Sequence, residues 1–154
     1  IINVKAISEE LGFVGTPYKI DADILKKIVK ANEIPIIAPL GLNSENQVYN
    51  VNADDVATFV ASSLNVRRLI FISDVAGVLD KDNNLISEIN SAMAEEMILN
   101  SEISGGMVPK IKNAIKIADK VRGIVIISGF KPHSVLFELL SDKGSGTLIR
   151  NERI

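Results

Sequence analysis

The sequence has no cysteine and no tryptophan, a single histidine, and no methionine before Met93. Without cysteine, neither a disulfide framework nor a thiolate metal site can form, a composition that fits the cytoplasm. One histidine with scattered acids is too few donors for a structural or catalytic zinc centre. Charge of one sign is also missing: 17 Lys+Arg against 19 Asp+Glu leave a formal net charge of −2. That balance carries no electrostatic footprint for nucleic acid or an anionic membrane surface. No run of 18 apolar residues exists, so no transmembrane helix is expected, and no signal-peptide pattern is seen. What is present is ordinary for a globular domain: 154 residues, 47% hydrophobic and 23% charged, which excludes disorder, collagen and coiled coil. A chain that opens on Ile1 and holds its first methionine at Met93 reads as part of a longer one, lacking an N-terminal portion.

Two kinds of segment alternate. Continuous β-branched runs at Ile34-Pro-Ile-Ile-Ala38, Leu69-Ile-Phe-Ile-Ser73 and Ile124-Val-Ile-Ile-Ser128 predict buried strands. Helical periodicity predicts helices between them. Residues 21–32 have Asp21 as N-cap and an apolar face of Ile24, Leu25, Ile28 and Val29. Residues 54–64 carry Val56, Phe59, Val60 and Leu64 on one side. Residues 107–120 place Pro109 in the first turn, where a missing N–H costs nothing. Shorter helices are expected over 91–100 and 133–140, and a hairpin over 39–51. The alternation predicts an α/β fold, a three-layer αβα sandwich on a mainly parallel sheet, in one unit without an interior linker.

Chemistry in such a fold gathers in loops beyond the carboxyl ends of strands. The first loop, Asp74-Val-Ala-Gly-Val-Leu-Asp80, sets an acid at a strand end; it is either a nucleotide loop or a self-capped turn. The second, Ser101-Glu-Ile-Ser-Gly-Gly-Met-Val-Pro-Lys110, opens a helix after two glycines. Glycine lets backbone approach a ligand, and a helix start with a lysine one turn in suits a phosphoryl group. It is not a P-loop, and a plain helix entry is the competing reading. The third, Tyr49-Asn-Val-Asn-Ala-Asp54, alternates amides and an acid into a helix start, more polar groups than one cap requires. Last come His133, Glu138 and the run Gly144-Ser-Gly146, either a surface turn or a small-molecule loop.

Together these motifs resemble the acetylglutamate kinases of the amino acid kinase family. The matching stretches are Leu11-Gly-Phe-Val-Gly15, Ile36-Ile-Ala-Pro39, Tyr49 to Asp54, Ser73 to Asp80, Ser104 to Lys110 and Gly144-Ser-Gly-Thr147, in the family's order and spacing. The resemblance implies ATP-dependent phosphorylation of the γ-carboxylate of N-acetyl-L-glutamate, the second step of arginine biosynthesis, in the cytoplasm. By position it implies Lys110 and Asp54 as catalytic residues and Asn50 and Asn52 as substrate-binding. Asp74, Val75, Ala76, Gly77, Val78 and Leu79 would line the nucleotide, closed by Glu102, Ile103, Ser104, Gly105 and Gly106. Magnesium would be held through the ATP phosphates, with no protein metal site. His133, Glu138, Gly144 and Gly146 match a pattern that holds L-arginine as feedback inhibitor in some members. The intact enzyme would then be a hexamer, otherwise a dimer.

The sequence also departs from the family. Its opening lysine with a Gly-Gly loop, its second Gly-Gly loop and its substrate-binding arginine have no counterpart before Asn50. The chain is therefore expected to be the C-terminal portion: residues 1–52 ending a substrate-side lobe, residues 53–154 forming the ATP lobe, and little activity alone. Competing readings are a kinase of carrier-linked aminoadipate or glutamate in lysine biosynthesis, and a non-catalytic ATP- or arginine-binding module.

Overall fold

The computed structural model describes residues 1–141 and 144–151. The chain divides into two units, Ile1–Asn65 and Val66–Ile154. In the first, β1 (Ile2–Ala6), β2 (Val14–Ile20), α1 (Ala22–Lys30), β3 (Leu40–Leu42), β4 (Val48–Val51) and α2 (Ala53–Leu64) follow in order. Its four strands close on themselves as β1-β2-β4-β3. The β1/β2 and β3/β4 pairs are antiparallel, and β1/β3 and β2/β4 are parallel. Inside lie Ile2, Val4, Val51 and Val56, with Ile20, Ile37, Tyr49 and Val60 packed around them.

That packing explains where the units part. The sequence reading put a boundary near residue 52, before α2. Val56 and Val60 of α2 lie in the first unit's apolar cluster, so α2 stays with the barrel. The expected hairpin forms as β3 and β4, its turn held by Asn43, whose Oδ1 accepts from the N–H groups of Glu45 and Gln47 at 2.9 Å each. It belongs to this barrel, with β1 and β2, which periodicity did not reveal.

The second unit contains β5 (Leu69–Ser73), β6 (Glu88–Asn90), α3 (Ser91–Leu99), α4 (Met107–Ile117), β7 (Ile124–Ser128), α5 (Ser134–Leu140) and β8 (Thr147–Arg150). Its sheet runs β5-β7-β8-β6. β5/β7 and β6/β8 are parallel and β7/β8 is antiparallel. Ile124, Val125, Ile126 and Ile127 are all buried, so β7 is covered on both faces, as its unbroken apolar run predicts. Ile111, Ala114 and Ile117 of α4 complete this core. The α/β class expected from the sequence is the class observed.

One predicted strand is not there. Residues 34–38 form no ladder, and Ile34 and Ile36 stand in solvent. Pro35 and Pro39 remove two backbone donors, and no neighbouring strand is supplied by the first unit. The face expected for α1 is likewise only partly used: Leu25 is buried, while Ile24 and Val29 are exposed.

Candidate functional site

In the first unit, the polar loop follows directly from β4. Asn50 is exposed, and its backbone N–H donates to the Phe13 carbonyl at 2.8 Å. Asn52 caps α2: its Oδ1 accepts from the N–H groups of Asp54 (2.9 Å) and Asp55 (3.2 Å). The capping use foreseen for Asn52 is therefore present. Asp54 and Asp55 occupy the first turn, where the helix end favours negative charge. Asn50, Asn52 and Asp54 thus share one short stretch at a strand end and a helix start.

In the second unit, β5 and β7 end in register, Ser73 opposite Ser128. Asp74 follows at once and accepts from the Ser73 hydroxyl at 3.0 Å. Residues 74–79 are then pinned from below. The Val78 N–H donates to Thr147 Oγ1 at 2.8 Å, and that hydroxyl donates to the Ile86 carbonyl at 2.6 Å. Gly77 has φ +151°, and a Cβ there would meet Thr147 Oγ1 at 2.5 Å, so this loop position requires glycine. The loop ends in a tight turn around Asp80, whose carboxylate accepts from the N–H groups of Asp82 and Asn84. The Asn84 backbone N–H, first among several donors, holds the Asp80 carboxyl below its ordinary value.

The second loop leads into α4. Gly106 precedes α4 with no side-chain cap, and no protein atom lies within 4 Å of where a Cβ would sit on Gly105 or Gly106. The first-turn N–H groups of Met107 and Val108 make only long 3.3 Å bonds to Ser104 and Gly105 carbonyls. Open space, an uncapped positive helix end and a lysine one turn in are what an anionic group needs. The Lys110 ammonium sits 5.9 Å from the centroid of the Phe71 ring, on β5 two residues before its end. Lys110 therefore lies against β5, the strand that residues 74–79 follow. Ile103 is buried beneath this entry, bonded through its N–H to Met97, while Glu102 and Ser104 are exposed.

The third predicted set separates. Glu138 is buried, and its carboxylate is already filled: Arg68 Nη1 donates to Oε1 at 2.7 Å and Ser145 N–H to Oε2 at 3.1 Å. The same Arg68 nitrogen donates to the Glu138 carbonyl at 2.7 Å. Glu138, Gly144 and Gly146 border one cavity of about 390 Å³ with Arg68, Ser87 and Glu88. His133 is exposed before α5 and does not line it. Gly146 serves packing, because a Cβ there would lie 1.9 Å from the Ile126 carbonyl oxygen. Asp142 and Lys143, within the loop singled out from the sequence, lie outside the described residues.

Sequence reasoning missed Arg68, Phe71 and Thr147 as site residues. Arg68 and Thr147 act across about seventy positions of chain, a separation no local pattern reveals. Among the described residues, no group of acids and histidine could hold a metal ion, and no helix is long and apolar enough to cross a membrane.

Residues 2–128 match the model of the amino acid kinase family. An acetylglutamate kinase of Pelagibacter ubique is 56% identical over 151 residues, which is 97% of this chain and 52% of that protein. An acetylglutamate kinase of Brucella anthropi is 46% identical, over 91% of this chain and 48% of its own length. The crystal structure of N-acetylglutamate synthase from Neisseria gonorrhoeae, complexed with coenzyme A and L-arginine, superposes with a TM-score of 0.89. It is 23% identical and is matched over 98% of this chain and 36% of that one. The chain spans about half the length of the acetylglutamate kinases it matches.

Proposed function

The chain belongs to the amino acid kinase family, and from that premise we propose that it supplies the nucleotide side of an acetylglutamate kinase. The reaction is transfer of the ATP γ-phosphoryl group to the γ-carboxylate of N-acetyl-L-glutamate. A carboxylate oxygen forms the new bond to phosphorus as the bond to ADP breaks, giving N-acetylglutamyl 5-phosphate. No proton moves, because the carboxylate is already ionised, so no side chain has to act as base. The obstacle is repulsion between two anions, and it is met by fixed positive charge and helix ends.

The observation that carries this reading is the uncapped start of α4 with Gly105, Gly106 and Lys110, whose ammonium faces Phe71 of β5, the strand that launches residues 74–79. The backbone N–H groups of this entry receive phosphoryl oxygens. Lys110 neutralises charge as it builds on the transferring group. Residues 74–79, held by Thr147, border the nucleotide. Magnesium, when bound to the ATP phosphates, supplies further neutralisation; the open glycine entry leaves room for a metal-phosphate group. Asn50 recognises the substrate's α-carboxylate region. Asp54 orients lysine ammonium groups from the positive end of α2.

Feedback control by L-arginine belongs to the same proposal, with a condition set by geometry. Arg68 already fills the guanidinium seat on Glu138, so an arginine ligand binding there competes with it.

The test is acyl-phosphate formation, trapped with hydroxylamine, by this chain joined to the remaining half of the Pelagibacter ubique relative. ATP and N-acetyl-L-glutamate should give product, and Lys110→Ala should lower kcat by about 100-fold or more without unfolding the protein. Full activity of Lys110→Ala, or turnover with carrier-linked aminoadipate but not with N-acetyl-L-glutamate, would overturn the proposal.

A further inference from the structure

In the second unit, β5 and β7 are each preceded by arginine: Arg67 and Arg68 before one, Arg122 before the other. The strands pair in parallel from Leu69 and Ile124, so Arg67 and Arg122 each stand two residues ahead of that pair. Register thus sets two like charges next to one another, which is unfavourable unless an anion answers them. Among the described residues, neither side chain has a hydrogen bond or an ion pair.

Both arginines line one cavity of about 520 Å³, together with Arg68 and Arg150. Arg150 is answered by the Glu88 carboxylate. Glu138 answers Arg68, but only through Nη1. Nε and Nη2 of Arg68, the edge that can fork onto two oxygens, make no bond among the described residues. A Cβ on Gly123 would stand 3.8 Å from that Nε, so glycine keeps the approach open. Four guanidiniums therefore meet two carboxylates, and two positive charges are left unanswered. Leu139, Leu140 and Leu148 add an apolar wall, and low-dielectric walls concentrate the field of such charges. The cavity lies at the amino ends of β5 and β7, whereas residues 74–79 follow the carboxyl end of β5. It is a different place from the nucleotide side.

We propose that this cavity binds a phosphate monoester of a small organic molecule. Its phosphate group carries close to two negative charges at neutral pH, which match the two unanswered arginines. Phosphate oxygens fork onto Nε and Nη2 of Arg68 and meet Arg67 and Arg122. The organic part lies against the leucines. A carboxylate offers only one charge and two oxygens, and so leaves one arginine unanswered. A space of about 520 Å³ is the size of a pocket for a whole small molecule, more than an inorganic ion needs. The Arg68–Glu138 pair stays in place, so this ligand does not use the seat for which L-arginine would compete. The inference does not depend on the kinase reaction.

The experiment titrates this chain with phenyl phosphate, inorganic phosphate and benzoate, followed by amide chemical shifts. Phenyl phosphate should shift the amides of Arg67, Arg68, Arg122 and Gly123 and saturate with a Kd of about 1 mM or below. Inorganic phosphate and benzoate should each bind at least about fivefold more weakly, the first lacking the apolar part and the second a charge. Arg67→Gln and Arg122→Gln should each weaken phenyl phosphate by about tenfold or more. Their urea midpoints should not fall, because neither side chain has a partner to lose; a purely structural role predicts a fall. Lys30→Gln, which removes an exposed cation of the first unit, should leave the affinity unchanged. No saturable shift at those four amides by about 10 mM phenyl phosphate would overturn the proposal. So would full affinity in either arginine variant, equal weakening by Lys30→Gln, or equal binding of inorganic phosphate or benzoate. Phenyl phosphate binding here without nucleotide shifts at residues 104–110 would refute the proposed reaction and leave this site standing.

Discussion

Replacing Arg68 by methionine removes the charge and keeps most of the stem, so the effect isolates the contact with Glu138. Two 2.7 Å hydrogen bonds from Nη1 are lost, one to Oε1 and one to the Glu138 carbonyl. The Glu138 side chain is 6% exposed and keeps the Ser145 N–H as a remaining donor. Breaking a fully buried ion pair costs about 3–5 kcal/mol. The Arg68 side chain is 41% exposed, so water screens part of the charge and can reach the freed carbonyl. The expected loss is therefore about 2–3 kcal/mol, read by urea denaturation of the chain. Glu138→Gln should cost less, about 1 kcal/mol, because its amide oxygen still accepts from Arg68 or Ser145. The double variant should show a coupling of about 1–2 kcal/mol. Millimolar guanidinium should restore part of the stability of Arg68→Met and do little for the parent. A loss for Arg68→Met below about 0.5 kcal/mol, or zero coupling, would refute the reasoning that Glu138 depends on an internal guanidinium.

Thr147→Val leaves the Val78 N–H and the Ile86 carbonyl unpaired beside a fully buried side chain. It should cost about 2–3 kcal/mol and speed exchange of the Val78 amide more than that of amides in β7. Asn52→Ala removes the cap that receives two N–H groups and should cost about 1 kcal/mol by denaturant melt, while Asn52→Asp should cost far less. The Asp80 turn gives a signed pH effect. Its carboxyl titrates below the ordinary aspartate value, so the turn is fully supported above that value and loosens only as pH falls through the lowered one. Carboxyl chemical shifts across an acid titration should show Asp80 protonating after ordinary exposed aspartates.

In the second unit β5, β7 and the three helices were legible because their signals are local, whereas β6 and β8 were not expected. The β7 run is apolar at its first four positions, and α4 opens with Pro109 in its first turn and buries Ile111 and Ala114 at the expected spacing. The first unit was harder. β1 and β2 alternate weakly, and β2 contains Gly15 and Pro17, which periodicity reads as loop. Gly15 is there because β1 and Tyr49 crowd its Cβ position to 3.1–3.2 Å, a contact between distant segments. At residues 34–38 the apolar run predicts a buried strand that does not form, because a strand needs a neighbour as well as a sequence. The site divided in the same way. Gly105, Gly106 and Lys110 are adjacent and could be read directly. The roles of Arg68 and Thr147 depend on partners about seventy residues away. The Glu138 loop reads as a ligand seat through the resemblance that groups His133, Glu138, Gly144 and Gly146, a pattern that does not include the internal partner Arg68.

Mapping nucleotide binding by amide chemical shift on this chain, with a non-hydrolysable ATP analogue and magnesium, tests the central claim most directly. The account predicts saturable shifts concentrated in residues 74–79 and 104–110, lost in Lys110→Ala and absent from residues 34–38. No shift at millimolar nucleotide, or shifts centred away from the carboxyl end of β5 and the start of α4, would contradict it.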